Sequence, residues 1–299
     1  MKVYNLPHDL TPGSSLAPDD VVISGYASRQ STVRNKIILH HHMLNLLIDG
    51  RKTIAQAAGT VTVYHDEILL LAAGNCLTSE VLSDAGQFRS IILYFSSHVL
   101  EDFQVRHAAL IGRLSGPAPR KEPVVTFAKD AFIRNYIESL SLLLAAPGLL
   151  TPEIRRLKLE ELLLYLVQTA PAGLDSFRAG PADAAPELVL RKVVETHVAR
   201  PVTVEELAFL AHMSLSTFQR RFVGIYGLPP QKWLLKQRMQ LAADLLLHHH
   251  QPPSNVYQQV GYESHSSFSE AFRKTFGLSP TAFRQQQRPA VPEPAARAD

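Results

Sequence analysis

Between Val21 and Phe95 short apolar runs alternate with turn signals. VVISGY, KIILH, MLNLLID, TVTVY, EILLLAAG, LTSEVLS and FRSIILYF follow one another, broken by Asp49-Gly50 and Asp84-Ala85-Gly86. Runs of this length, rich in Val, Ile, Leu and Phe, read as strands. Many strands with no helix between them predict a sandwich or a small barrel over residues 20–95. The period then lengthens, and residues 97–113 and 128–146 fit helices. Thr151-Pro152-Glu153 opens another helix, with a capping hydroxyl, a proline whose missing N–H is harmless, and an acid near the positive dipole end. Its sequence, IRRLKLEELLLYLVQ, gathers Leu159, Leu162, Leu163 and Leu166 with Val167 on one broad face. A face that wide has to be covered. Either the barrel covers it, or the same helix of a second copy does and the four leucines form a dimerisation surface.

Two Pro, two Gly and many small residues without apolar period mark PAGLDSFRAGPADAA, residues 171–185, as a linker. Residues 1–170 then form one domain, strands first and helices over 97–170. Residues 186–288 are helical throughout, with candidate helices near 187–199, 204–211, 215–226, 230–247, 255–260, 265–276 and 280–286. Residues 289–299 are expected to be a disordered tail. The fold class is α+β with two domains: a sheet-rich domain with flanking helices, then an all-α domain.

The helical region repeats itself. A shift of fifty residues lays Ser214 on Ser264, Ser216 on Ser266, Phe218 on Phe268, Phe222 on Phe272, Gly227 on Gly277, Leu228 on Leu278 and Pro230 on Pro280. The same helical module therefore occurs twice. In the first copy Thr203 and Glu206 make a capping box before a short helix. A tight turn at His212-Met213 follows, and Ser214 or Ser216 starts a second helix. Phe218 and Phe222 lie four apart on the inward face, Leu215, Ser216, Gln219 and Arg220 on the outward one. Gly227 ends the helix. Two helices in this order form a helix-turn-helix. Two copies joined by one long helix can enter successive major-groove faces about 34 Å apart.

Charge supports this. The chain of 299 residues has a mild net charge of +3, but residues 186–288 hold twelve Lys and Arg against seven Asp and Glu, a net of +5. A basic third suits phosphate neutralisation. A single cysteine, Cys76, excludes an internal disulfide framework and a Cys-built zinc site, and fits a reducing cytoplasm. The N-terminal residues lack a secretory pattern, and no run reaches the roughly 18 apolar residues of a membrane span.

The segments VTVEELAFLAHMSLSTFQRRF and GYESHSSFSEAFRKTFGLSPTAFR resemble the DNA-binding domain of AraC/XylS-type transcription regulators, whose second-half signature is matched from Gly261 to Arg284. In the N-terminal part, FRSIILYFSSHVLEDFQVRHAALI and LKLEELLLYLVQ resemble the ExsA-like branch, which controls type III secretion genes. The resemblance implies a cupin-like barrel followed by helices used for dimerisation and regulation. Two departures stand out. Val256-Tyr257 replaces the family's Ile-Ala pair in the second support helix, and Pro252-Pro253 precedes it. That helix is expected to be short and the second module to grip DNA less rigidly.

By position, the base-reading candidates are Leu215, Ser216, Gln219 and Arg220 in the first module and His265, Ser266, Ser269 and Glu270 in the second. Arg220 can bind guanine O6 and N7 together, or hold a phosphate instead; Gln219 can pair with adenine. Glu270 can accept from a cytosine amine or repel wrong sites. Lys232, Lys236, Arg273, Lys274 and Arg284 are phosphate candidates, whereas Arg238 in the joining helix reads as structural. Phe218, Phe222, Trp233, Leu241, Leu245, Phe268 and Phe272 read as core. His40-His41-His42 falls in a strand, so His40 and His42 would share a face, with His65 nearby. A metal cupin wants an acid a few residues on, where Leu46 and Leu47 stand, so no metal or cofactor is expected. The run His248-His249-His250 reads as a helix end.

These readings converge on a sequence-specific, DNA-binding transcription regulator, with activation the expected mode. Double-stranded DNA, a second copy and, for an activator, RNA polymerase are the expected partners. A small molecule or a protein would act on the N-terminal domain. The competing class is an enzyme joined to this module. A metal cupin lacks its acid ligand, and a DNA-alkylation repair protein needs several cysteines.

Overall fold

The computed structural model describes residues 3–10, 21–114, 122–177, 185–247 and 251–286. They belong to two compact units, Met1–Ala185 and Pro186–Asp299.

The first unit contains β1 (Val3–Leu6), β2 (Val22–Ser28), β3 (Thr32–Leu39), β4 (His42–Asp49), β5 (Arg51–Gln56), β6 (Gly59–Val63), β7 (Glu67–Leu71), β8 (Gly74–Val81) and β9 (Phe88–Phe95). After these come α1 (Ser97–Arg106), α2 (Ala108–Leu114), β10 (Val124–Ala128), α3 (Ala131–Ala145), α4 (Pro152–Thr169) and α5 (Pro171–Ser176). The strands form two five-stranded sheets, ordered β1-β3-β8-β5-β6 and β10-β7-β4-β9-β2. The pairing is antiparallel except between β1 and β3.

Hydrophobic patterning explains the layering. In β9, Phe88, Ile92 and Tyr94 enter the core between the sheets, while Ile91, Leu93 and Phe95 enter a second core with the helices. A strand apolar on both faces must be covered on both, and the continuous run FRSIILYF reflects this. β5 belongs to the outer sheet and alternates instead, with Lys52, Ile54 and Gln56 turned inward.

Several expectations change here. The strands do not close into a barrel: the Tyr64–Glu67 turn carries the chain from one sheet to the other, and no ladder joins β6 to β7. Leu159, Leu162, Leu163 and Leu166 are each about 1% exposed or less, in one cluster with Leu44, Leu46, Ile68 and Leu93. They cover their own sheet and are not a free dimerisation surface, because the outer face of that sheet is itself apolar. Burying a leucine contributes roughly 1.5–3 kcal/mol. Residues 171–176 form a helix rather than a linker, and Phe177 is buried against His42 at a ring separation of 5.4 Å. The histidine triplet is not one strand face either. β3 ends at Leu39, His40 stacks on His8, and His42 opens β4 in the interior. The His42 ring accepts from the Ala73 amide and meets Ser97 Oγ at 3.0 Å, and burial lowers its pKa to about 4. Residues 178–184, the run His248–His250 and the tail 289–299 lie outside the described residues.

The second unit comprises α6 (Pro186–His197), α7 (Val204–Leu210), α8 (Leu215–Tyr226), α9 (Pro230–Leu247), α10 (Pro253–Gln259), α11 (His265–Phe276) and α12 (Pro280–Gln286). α7–α8 and α10–α11 are the two copies of the repeat, and α9 joins them.

Candidate nucleic-acid interface

The same local chemistry builds each copy. Ser214 and Ser264 cap their helices by accepting from the amides of Thr217 and Ser267 at 3.3 and 3.2 Å. Gly227 and Gly277 end them at φ values of 70° and 78°. The aromatic clusters behind the helices are superposable in kind. Phe218–Phe222 and Phe268–Phe272 have ring centroids 5.7 and 5.6 Å apart. Phe222–Trp233 and Phe272–Phe283 both meet edge to face, at 77° and 78°. Phe218, Phe222, Phe268 and Phe272 are wholly buried, so the opposite face of each helix is left to solvent.

On that outer face of α8 lie Leu215, Ser216, Gln219 and Arg220, all exposed. Arg220 makes no hydrogen bond or ion pair among the described residues, which leaves its planar donors open to a ligand. Its neighbour Arg221 is different: it donates to Glu187 at 2.6 Å and so ties α8 to α6. On α11, His265, Ser266 and Glu270 are exposed and Ser269 is half-buried. The His265 ring packs edge-on to Tyr257 at 5.9 Å. Lys232, Lys236, Arg273 and Lys274 are exposed, as a phosphate contact requires.

Residues 42–174 match the family model described as the ExsA N-terminal regulatory domain, and residues 207–286 match a helix-turn-helix domain model. The chain is 26% identical to the transcriptional regulator ExsA of Pseudomonas aeruginosa, over 80% of this chain and 84% of that one. It is 26% identical to the virulence regulon transcriptional activator VirF of Yersinia enterocolitica, over 81% and 88%. Among solved structures it is similar to ToxT of Vibrio cholerae, with 13% identity, a TM-score of 0.38, and coverage of 89% of this chain and 95% of that one. The chain belongs to the AraC/XylS-type transcription regulators. It is a DNA-binding regulator whose N-terminal domain is of the ExsA type.

Three features of this AraC/XylS-type domain escape the fifty-residue repeat. First, the support helices align at a shift of 49, not 50. Met213 N–H donates to Ala208 O and Tyr262 N–H donates to Tyr257 O, each at 2.9 Å, across His212 and Gly261 at φ 56° and 80°. Glu263 is therefore an extra residue in the second turn, and the change of offset is the signal that reveals it. Second, α10 is seven residues long, like α7, so it is not the shorter helix. Pro253 occupies its first position, where proline fits. Tyr257 is half-buried against the core of the second copy, at the place that Ala208 takes in the first copy. The capping does differ: α7 has the Thr203–Glu206 box, while α10 has no side-chain cap. Third, Arg284 is half-buried and donates one guanidinium N–H to Gln251 O at 3.3 Å, a bond that braces the second copy.

Arg238 is structural, as its place in α9 suggests. Its guanidinium donates to the carbonyls of Val198, Arg200 and Val202 at 2.8, 2.6 and 3.3 Å. No group of three or more His, Cys, Asp or Glu among the described residues could hold a metal ion. No described helix is long and apolar enough to cross a membrane.

Proposed function

We propose that this regulator is a cytoplasmic transcription activator that inserts α8 and α11 into neighbouring major-groove segments on one side of a duplex. The observation that carries the reading is the duplicated frame: two capped helices, each with its phenylalanines buried and its polar face open. Leu215, Ser216, Gln219 and Arg220 read one half-site; His265, Ser266, Ser269 and Glu270 read the other. Lys232, Lys236, Arg273 and Lys274 hold phosphates and set register. The protein acts by binding, not by catalysis, and an activator bound beside a promoter contacts RNA polymerase.

The N-terminal domain receives the signal, from a small molecule or a protein, and pairs two copies. With the four core leucines buried, pairing falls to other apolar side chains of the helical layer. Leu142 on α3, Leu157 on α4 and Leu149 between them are 73%, 62% and 62% exposed. Sedimentation of the full chain tests this: the wild type forms dimers at micromolar concentration, and Leu142→Asp with Leu157→Asp gives monomers. An unchanged dimer moves the interface elsewhere.

The DNA reading is tested on duplexes selected from a random library with the full chain. Footprinting should reveal two protected half-sites about one helical turn apart. Affinity should fall steeply with salt, as expected when several Lys and Arg release phosphate counterions. One protected half-site, or flat salt dependence, contradicts it.

A further inference from the structure

The loop that leads into α7 is held from two sides. Arg238 of the joining helix grips three of its carbonyls, at Val198, Arg200 and Val202. Within the loop, Val202 N–H donates to Arg200 O at 2.7 Å, so the carbonyl is already fixed. On the other side lies Gly261, the left-handed residue in the turn of the second copy. A Cβ there would stand 2.7 Å from Arg200 C and 2.8 Å from Arg200 O. Real Cβ atoms do not approach backbone so closely, so Gly261 is needed for φ and for space together. The next residue, Tyr262, lies with its ring 5.7 Å from that of Phe268 on α11.

A continuous path therefore runs from the entry of the first support helix, through Arg238 and Gly261, to the second recognition helix. α9 alone fixes how far apart the two copies are. Any give in the packing of α8 on α9, or of α10, α11 and α12 on it, lets one copy rotate about the helix axis relative to the other. Contact away from that axis removes the freedom. Arg200 and Gly261 make such a contact directly between the copies, and Arg238 anchors it to α9.

We propose that the junction of Arg238, Arg200 and Gly261 sets the phase between the two recognition helices and thereby determines which half-site spacing this regulator accepts. The proposal rests on both helices reading DNA. Inserting one base pair rotates one half-site relative to the other by roughly 34° and shifts it by only roughly 3.4 Å, since a turn of about 34–36 Å holds about 10–10.5 base pairs. A rigid junction cannot follow that rotation; a loosened one can.

The test uses the full chain and the duplexes selected above, together with versions carrying one base pair added or removed between the half-sites. Wild type should bind the altered spacings at least about tenfold more weakly, a difference of about 1.4 kcal/mol. Arg238→Lys retains the charge but loses the planar grip. Gly261→Ala pushes the turn away from Arg200. Each should shrink the spacing penalty to about threefold or less, and single-base preferences inside each half-site should stay as in wild type. Arg238→Lys keeps the test open if Gly261→Ala fails to fold by circular dichroism. A residue that only supports the fold would lower affinity for all duplexes together and leave the spacing ratio unchanged. That result in Arg238→Lys overturns the proposal. If wild type shows only one half-site, the two-helix reading fails, which is a separate and recognisable outcome.

Discussion

The two helix-turn-helix copies share a skeleton and differ on the surface. Behind each recognition helix the phenylalanine pairs, the terminal glycine and the serine cap recur with nearly the same separations. On the outer face three of the four matched positions have diverged, and only Ser216 and Ser266 agree. Arg220 stands where the second copy has Glu270, and Gln219 where it has Ser269. A frame held by buried rings tolerates little change, since each ring touches several others and leaves a void if removed. Exposed positions have no such constraint and are free to specialise. If both helices read bases as proposed, opposite charges at equivalent places give the two halves different base preferences. The supports differ as well: a capped α7 in one copy; an uncapped α10, Tyr257 in place of a small residue and one extra turn residue in the other.

The skeleton should respond equally in both copies. Phe222→Ala and Phe272→Ala should each destabilise the helical domain by roughly 3–5 kcal/mol, read by denaturant unfolding. A copy that tolerates its substitution would have a looser core, and the shared skeleton would be confined to the other.

The faces should respond unequally. Arg220→Ala should cost roughly 1–3 kcal/mol at the best site and relax preference at one base pair. Glu270→Ala should cost little affinity and widen the range of duplexes bound, because a carboxylate near phosphates works mainly against wrong sites. Selection from random duplexes with each variant measures both. A uniform loss across sequences for Arg220→Ala would make it a phosphate contact.

The smallest expected difference lies in the supports. Thr203→Ala removes the hydroxyl that accepts from the Glu206 amide, at a cost of about 1 kcal/mol, and keeps the reciprocal bond that the Thr203 amide donates to the Glu206 carboxylate. Pro252→Ala removes no side-chain hydrogen bond and should leave the cap end of α10 nearly unchanged. Amide hydrogen exchange in α7 and α10 distinguishes them. In an operator scan, the half-site under α8 should tolerate fewer changes than the half-site under α11. Equal penalties would show that capping does not reach the DNA.

The sequence by itself determined the helical domain almost completely. Caps, helix-ending glycines and phenylalanines four apart are local signals, each acting within a turn or two, and the repeat supplied an internal check. It also located most of the strands, because runs such as FRSIILYF declare themselves by composition. It missed β5 and β10, and also β1, a four-residue strand whose place depends on a parallel partner, β3, about thirty residues away. Only the tertiary structure decided that the sheets stay separate, that α4 turns its leucines onto its own sheet, and that Phe177 closes against His42. A broad apolar face states that it must be covered but not by what. The same limit applies to Arg238 and Gly261. Their roles come from carbonyls and backbone brought close from distant positions, and no local pattern records which loop a guanidinium will reach or which peptide a missing Cβ admits.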